Sequence, residues 1–149
     1  MNIYKQIQTT TPEATEGVGE ELAKAITCGE LPSFVALEGD LGVGKTVFVR
    51  GFVSVAAPGA AVRSPTFALV NEYRNRDTGK KVYHFDVYRI EDEDELYSIG
   101  FYDYLDRGIC VVEWSENITY ALPDSYLRIE ISKTTPDRPD ERKISVRLV

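Results

Sequence analysis

The sequence predicts a three-layer α/β domain whose mixed central sheet is bordered by antiparallel edge hairpins. Two apolar runs, Phe34–Glu38 and residues 109–114, have the composition of buried parallel strands. Two further pairs of strand-like segments flank polar turns, as antiparallel hairpins do. We therefore expect helices packed on a sheet that is parallel at its centre and antiparallel at its margins.

The N-terminal part of the chain is expected to form a strand and then a helix. Residues 3–8 have strand character, and residues 10–13 read Thr-Thr-Pro-Glu, a combination typical of helix starts. Gly29 is suited to ending this helix. Between these limits, apolar residues recur at helical spacing at Ala14, Val18, Leu22, Ala25 and Ile26.

A second helix and a hairpin are expected in the middle of the chain. The helix covers residues 46–56 and stops at a Pro-Gly break within residues 57–59. Residues 68–73 and 81–89 then flank a turn that contains Gly79, which predicts an antiparallel hairpin.

The C-terminal half is expected to add one helix and three strands. Residues 96–105 look helical, and residues 109–114 form the second strongly apolar strand candidate. Residues 126–132 and 143–149 alternate as a final pair of strands, separated by a polar, proline-containing loop.

Residues 39–46 carry the strongest functional signal. They read G-x-x-x-x-G-K-T, the phosphate-binding loop of P-loop NTPases. An apolar strand precedes the motif and a helical segment follows it, so the predicted domain is P-loop NTPase-like. Backbone N–H groups would surround phosphate oxygens, and the helix N-terminus would add partial positive charge. A glycine-rich turn that caps an ordinary helix is the alternative.

Individual positions of this motif have expected roles. Lys45 would reach the outer phosphates as a point charge and act in catalysis, and the Thr46 hydroxyl would ligate Mg²⁺, a hard cation that takes few protein oxygens. The predicted nucleotide-binding residues in and beside the loop are Asp40, Leu41, Gly42, Val43, Gly44, Lys45, Thr46 and Val47.

A loop of this kind needs an acidic partner at the C-terminal end of a neighbouring strand. Glu113 follows four apolar residues and fits a buried parallel strand. Asp86 ends a segment whose pattern is closer to an alternation of apolar and polar residues, as in a strand with one exposed face. We assign Glu113 to magnesium, and Asp86 to catalysis through water activation or to the outer metal shell. A surface ion pair is the alternative for each acid.

Two ring side chains lie close to these acids in sequence. Trp114 directly follows Glu113 and is a nucleotide-binding candidate at the rim of the pocket, although packing in the core or a lid would serve equally. His84 shares a strand face with Asp86 by alternation. For this only histidine of the chain, a structural role is favoured over a catalytic one.

Residues 64–67 lie between the second helix and the hairpin, where nucleotide-sensing switches occur in other P-loop proteins. Ser64 and Thr66 are therefore switch-like candidates, with Thr66 placed to report on the γ-phosphate. Turn formation is the simpler alternative. The N-K-x-D sequence by which GTPases read guanine does not occur, so ATP is the expected nucleotide.

Composition limits the class of protein. The 149 residues fit one domain, residues 1–149, and 43% hydrophobic residues suffice for a single core. No apolar run approaches the length of a membrane span, and the N-terminus lacks the apolar core of a signal peptide, so a cytoplasmic location is expected. Cys28 and Cys110 are interpreted as reduced and structural.

The chain is acidic, with a formal net charge of −7. Proteins that grip nucleic acids by themselves concentrate lysine and arginine, so strong direct nucleic-acid binding is not expected. A link to RNA would run through a partner protein.

Several motifs in one order resemble the bacterial TsaE (YjeE) family, the ATPase component of tRNA threonylcarbamoyladenosine synthesis. The resemblance extends over about residues 10–130. It is carried by residues 39–46, Ser64-Pro65-Thr66-Phe67 with Leu69-Val70-Asn71-Glu72-Tyr73, Tyr83-His84-Phe85-Asp86-Val87-Tyr88-Arg89, Glu95-Leu96 with Gly100 and Asp103-Tyr104, and Val112-Glu113-Trp114.

The resemblance implies a cytoplasmic ATPase that uses ATP and Mg²⁺ and works with the TsaB and TsaD proteins. Our hypothesis is that ATP binding or hydrolysis changes the region of residues 64–73 and so resets this partner complex between catalytic cycles. The resemblance implies that Thr46 and Glu113 hold magnesium and that Asp86 serves hydrolysis. It also implies that the start of the first helix contacts the nucleotide, through Thr10 or Thr11. Many members carry a second threonine where this chain has Val47.

Two other functions remain open at this stage. A small-molecule kinase would use a lid arginine such as Arg89 to stabilise transfer to an acceptor. A non-catalytic adaptor would use its bound nucleotide only to stabilise a docking surface.

Overall fold

The computed structural model describes residues 2–40, 42–62 and 69–149. The strands within these residues are β1 Asn2–Thr9, β2 Phe34–Glu38, β3 Val70–Arg74, β4 Lys81–Asp86, β5 Ile109–Glu113, β6 Leu127–Lys133 and β7 Arg142–Leu148. The helices are α1 Pro12–Thr27, α2 Lys45–Ala56, α3 Glu93–Ser98, α4 Phe101–Tyr104 and a 3₁₀ helix, Ser115–Ala121.

The strands form one seven-stranded sheet in the order β1-β7-β6-β2-β5-β4-β3. Strands β6, β2, β5 and β4 are parallel to their neighbours within this central group. Strand β7 is antiparallel to both β6 and β1, and β3 is antiparallel to β4. The predicted mixed sheet with antiparallel margins is therefore confirmed.

The central strands are buried on both faces. In β2, Val35 and Leu37 pack with helices α1 and α2, whereas Phe34 and Ala36 pack in a second cluster on the opposite face. Burial of both faces explains why β2 and β5 are continuous apolar runs. Because both faces of the sheet are apolar, each must be covered by helices to be removed from water.

Two glycines allow α1 and α2 to pack closely on the first face. A Cβ atom at Gly19 would collide with the carbonyl oxygen of Phe48, and one at Gly51 would collide with the carbonyl oxygen of Glu16. Both obstacles are backbone atoms, which cannot rotate away. This contact fixes α2, and with it the loop that precedes α2.

The second face is covered by α3, α4 and the 3₁₀ helix. Its core cluster includes Tyr83, Phe85, Phe101, Val112 and Ile118, all buried. The Phe85 and Phe101 rings meet edge to face, with centroids 5.1 Å apart. Aromatic pairs favour this arrangement because the ring edge is positive and its face negative.

The helix predicted over residues 96–105 is wrong as a single element. Its first part begins earlier, at Glu93, because the Asp92 side chain caps the helix by accepting from the Glu95 N–H. Gly100 has a φ of 77° and separates α3 from α4. The glycine turns the chain so that Phe101 can enter the core.

Two predicted strands are shorter in the structure. Strand β4 ends at Asp86 because the Asp86 carboxylate accepts a hydrogen bond from the Tyr88 N–H at 2.9 Å, which makes a turn. Strand β5 ends at Glu113 because Trp114 adopts a left-handed conformation with a φ of 63°. The 3₁₀ helix that follows was not predicted. No helix among the described residues is long and apolar enough to cross a membrane.

We expect Gly51→Ala to destabilise the protein, because the added methyl would push α1 and α2 apart. Overpacking of this kind costs about 1–3 kcal/mol or more. Thermal unfolding followed by circular dichroism measures the effect. Gly17→Ala is the matched control: a Cβ at Gly17 meets nothing within 4 Å, so better helix propensity should stabilise this variant by up to about 1 kcal/mol. Equal unfolding temperatures for the two variants would contradict the close-packing interpretation.

Candidate functional site

The C-terminal ends of three parallel strands meet at one edge of the sheet. The register places Leu37 of β2 beside Glu113 of β5, and Glu113 beside Asp86 of β4. Residues 39–46, here called the glycine loop, follow β2 at this same edge. Open α/β sheets gather ligands at this edge, so the structure brings the motif and both predicted acids together.

Glycines shape the loop and bring it against the C-terminal strands. Gly39, Gly42 and Gly44 all have positive φ angles, and Gly44 is the left-handed residue directly before α2. A Cβ at Gly39 would lie 2.6 Å from the carbonyl oxygen of Ile131 in β6. The loop backbone is thus packed on its neighbours, which leaves no room for a side chain at this position.

Strand β7 also holds the loop. The Nε–H of Arg142 donates a 2.7 Å hydrogen bond to the Val43 carbonyl oxygen. Beside this contact is a small cavity of about 60 Å³, lined by Pro12, Thr15, Val43, Gly44, Val47, Asp140 and Arg142. The glycine loop is therefore fixed from the C-terminal hairpin, a contact that sequence reasoning missed because the partners are 99 residues apart.

Lys45 is the first residue of α2, and its side chain is buried. Its Nζ lies 4.0 Å from Glu113 Oε1 and 4.1 Å from the centroid of the Trp114 ring. Within the described part of the chain, Nζ has no hydrogen-bond partner. Burial lowers the pKa of Lys45, an effect that the negative charges of Glu113, Glu116, Asp86 and Asp40 oppose.

Glu113 is buried between two partners. Its Oε2 is 2.5 Å from Nε2 of His84, and its Oε1 faces Lys45. The alternative of a surface ion pair is wrong for this acid, because its side chain is only 9% exposed and its neighbours are a buried lysine and a fully buried histidine. The carboxylate is therefore held in a defined orientation at the strand end.

Asp86 is half-buried beside Glu113. One of its carboxylate oxygens forms the turn with Tyr88, and its backbone N–H donates to the Leu69 carbonyl oxygen at 3.0 Å. The turn is further fixed by Asn117, whose side-chain amide donates to the carbonyl oxygens of Val87 and Tyr88. Asp86 thus lies on a strand end that is anchored on both sides.

Trp114 lies beside the glycine-loop lysine. Its ring is half-buried and packs on Tyr88 with centroids 4.8 Å apart, while the Lys45 ammonium lies over the ring. The left-handed backbone at Trp114 turns the side chain toward this edge. An ammonium over an indole face is an attractive contact, so Trp114 and Glu113 together surround the lysine.

The remaining predicted residues differ in position. Asp40, Gly42 and Thr46 are exposed, and Gly44 and Val47 are half-buried. Thr11 caps α1 by accepting from the Ala14 N–H, so its hydroxyl already has a structural partner. Leu41, Ser64 and Thr66 lie outside the described residues, and their assigned roles stay predictions.

The two cysteines are free, and burial raises the pKa of Cys110 to about 12, which makes its thiol unreactive.

One further acid near the site was not identified from the sequence. Glu116, in the 3₁₀ helix, acts electrostatically on Lys45, and partial loss of hydration raises the pKa of its carboxyl group. A signal was present, since Glu116 is three residues after Glu113. The unpredicted 3₁₀ turn is what returns it to the site.

Unpaired buried polar atoms are concentrated at this edge. Among the described residues, the buried side-chain nitrogen and oxygen atoms without a hydrogen-bond partner are Lys45 Nζ, His84 Nδ1 and Ser115 Oγ. Lys45 lies in α2, His84 lies in the strand that ends at Asp86, and Ser115 lies two residues after Glu113. Because unpaired buried groups cost free energy, their concentration makes this edge the candidate functional site.

The site has oxygen donors but no dense metal cluster. No group of three or more histidine, cysteine, aspartate or glutamate side chains within residues 2–40, 42–62 and 69–149 could hold a metal ion. The Thr46 hydroxyl and Glu113 Oε1 are hard oxygen donors, which suit a cation that keeps several waters and uses few protein ligands. The residues present therefore fit Mg²⁺ better than a metal that needs a full protein cage.

Comparisons with known proteins give one consistent result. The family model described as "Threonylcarbamoyl adenosine biosynthesis protein TsaE" matches residues 9–144. The TsaE protein of Bacillus subtilis (strain 168) is 38% identical over 139 residues, which cover 93% of this chain and 82% of that protein. The TsaE protein of Aquifex aeolicus (strain VF5) is 37% identical over 151 residues, 99% of this chain and 98% of its own length.

A solved structure agrees with these sequence matches. The crystal structure of Bacillus subtilis YdiB superimposes with a TM-score of 0.67 and 29% identity, over 98% of this chain and 87% of that one. The predicted family resemblance is thus confirmed by sequence and by fold. The chain belongs to the TsaE family.

Proposed function

We propose that this protein binds ATP with Mg²⁺ at the glycine loop and hydrolyses it, and that this hydrolysis supports tRNA threonylcarbamoyladenosine biosynthesis. The observation that carries the ATP site is the buried Lys45 ammonium, which lacks a hydrogen-bond partner within the described chain. Its position at the first turn of a helix behind a glycine loop is where a phosphate group would satisfy it.

Lys45 is poorly satisfied by its present neighbours. A separation of 4.0 Å from Glu113 is at the limit of an ion pair, and an indole face is a weaker partner than an anionic oxygen. Helix α2 adds to the attraction, since its first turn contains no acidic residue and Gly44 offers no capping side chain. A triphosphate would supply the missing acceptors to both the ammonium and the helix N-terminus.

The surrounding acids support a requirement for a divalent cation. Glu113, Glu116, Asp86 and Asp40 all act electrostatically on Lys45, so a triphosphate arriving alone would meet several like charges. We assign the Thr46 hydroxyl and Glu113 Oε1 to holding the cation. Bound Mg²⁺ would neutralise phosphate charge and polarise the transferred phosphoryl group.

Asp86 is the candidate for orienting the attacking water. It adjoins Glu113 in the sheet, and the turn with Tyr88 occupies one carboxylate oxygen and so limits rotation of the side chain. The other oxygen would accept a hydrogen bond from water. Because positioning and charge neutralisation carry most of such a reaction, hydrolysis by the isolated protein should be slow.

The relatives of this chain support its proposed role in tRNA modification. The relatives described above are named for threonylcarbamoyladenosine biosynthesis in tRNA. A chain with a net charge of −7 is poorly suited to gripping tRNA itself. We therefore propose a cytoplasmic protein that acts through TsaB and TsaD, with ATP turnover resetting that pair between catalytic cycles.

Lys45→Met should strongly weaken ATP binding, because the side chain keeps its length but loses the charge that would meet the phosphates. Loss of charge-assisted contacts of this kind weakens binding about 100-fold. Isothermal titration calorimetry with ATP and Mg²⁺ measures the affinity, and thermal unfolding verifies that the variant folds. Lys80→Met, at an exposed lysine, should bind like the unmodified protein. Undiminished affinity in folded Lys45→Met would refute the ATP site.

Asp86→Asn should lower ATP turnover by about 100-fold or more while leaving ATP affinity largely unchanged. Asparagine keeps the oxygen that accepts from the Tyr88 N–H, so the turn is preserved and the negative charge is lost. Release of inorganic phosphate without any added acceptor measures turnover. A kinase would transfer the phosphoryl group to its acceptor, so release of inorganic phosphate without an acceptor counts against that alternative. An adaptor would complement a deletion strain equally well with the substitution.

TsaB and TsaD should retain this protein in an ATP-dependent manner. Capture on an immobilised TsaB–TsaD pair is compared with ATP and Mg²⁺, without nucleotide, and with the Lys45→Met variant. We expect retention only in the first condition. Absence of a complex under every condition would reject the proposed place in tRNA modification and leave the ATP site standing.

A further inference from the structure

His84 lies at the centre of the sheet, near the end of β4. It is fully buried, and its Cα partner across the parallel ladder is Val111 of β5. Alternation along β4 puts His84 on the same face as Val82 and Asp86, the face that packs against α1 and α2. The imidazole therefore lies on the same sheet face as Asp86, two residues before the strand end at which Glu113 and Asp86 meet.

One contact defines the orientation of this imidazole. Nε2 of His84 is 2.5 Å from Glu113 Oε2, whereas Nδ1 has no partner among the described residues. An ionised carboxylate only accepts hydrogen bonds, so pairing with ionised Glu113 assigns the hydrogen to Nε2 as the donor. The two oxygens of Glu113 thus differ: Oε2 is held by His84, and Oε1 remains open toward Lys45.

Fold stability does not account for a histidine at this position. The strand positions around it are filled by buried apolar residues, Val82, Phe85 and Val111. A nitrogen without a partner among the described residues destabilises the fold in such surroundings, and a β-branched apolar side chain would avoid that cost. What the imidazole supplies, and an apolar residue cannot, is a donor to one oxygen of Glu113.

We infer that His84 is a positioning residue for Glu113, holding Oε2 so that Oε1 is presented to the cation at the start of α2. The inference rests on the proposed function, in which Glu113 helps to hold Mg²⁺ beside the nucleotide. Without the histidine, the Glu113 carboxylate could rotate, and the cation would lose a ligand. His84 would not itself touch ATP.

Two amides of different reach test this role. The side-chain nitrogen of His84→Gln can reach roughly where Nε2 lies, whereas that of His84→Asn is too short to contact Glu113. The readout is the Mg²⁺ concentration needed for half-maximal ADP binding, measured by calorimetry, together with ADP affinity in EDTA. We expect His84→Asn to need at least tenfold more Mg²⁺ with unchanged affinity in EDTA, and His84→Gln to recover most of this loss.

Controls separate positioning from simple loss of packing. Val82→Ala removes buried volume from the same strand face and should lower the unfolding temperature without changing the Mg²⁺ requirement. In a Glu113→Gln background, His84→Asn should have no further effect on that requirement, because the carboxylate being positioned is gone. Equal Mg²⁺ requirements for His84→Asn and the unmodified protein would overturn the inference, as would a loss of ADP affinity in EDTA.

The chain's only histidine also permits a direct test that does not depend on activity or on the variants folding. In ¹⁵N-labelled protein, the imidazole should show a protonated Nε2 and a hydrogen-bonded N–H signal, and both should persist when Mg²⁺ and ADP are added. Disappearance of this signal on Mg²⁺ binding would overturn the inference. If the unmodified protein binds no nucleotide at all, the proposed function itself fails, and the imidazole signal still reports whether His84 holds Glu113.

Discussion

The buried pair of Lys45 and Glu113 is the constraint around which the rest of this edge is organised. Burying an ammonium and a carboxylate that are 4.0 Å apart costs hydration free energy, which such a loose ion pair does not fully offset. Glu113 is held from behind by His84, and Lys45 is covered by Trp114. The two charges therefore face each other at ion-pair distance, and the proposed metal–phosphate group would separate and satisfy both.

The scaffold holds this pair through contacts that are remote in sequence. Lys45 belongs to α2, whose position depends on the glycine contacts with α1. The loop before Lys45 is held by Arg142 of β7. Glu113 belongs to a central strand buried on both faces, so its backbone cannot shift without disturbing two core clusters. A rigid site follows because binding groups on packed elements lose little freedom when a ligand arrives.

Local chemistry was sufficient to predict many elements, and its failures have a common cause. The strand Phe34–Glu38 and the cap at Thr11 were predictable because apolar runs and capping side chains act within a few residues. Two other features could not be predicted in this way. The helix break at Gly100 depends on a turn that directs Phe101 into the core, and the early end of β4 depends on a hydrogen bond from the Tyr88 N–H to the Asp86 side chain. Helical propensity alone contains no information about where the core lies.

For the site, the sequence by itself determined the chemical groups: a glycine loop with Lys45 and Thr46, two acids at strand ends, and membership of the TsaE family. Only the tertiary structure decided which acid contacts the lysine, that a histidine 29 residues from Glu113 holds one of its oxygens, and that a 3₁₀ turn brings Glu116 back to the same edge. The reason is physical. Residue types and short-range spacing are properties of the chain, whereas the register of parallel strands joined by long crossovers is set by packing of the whole domain.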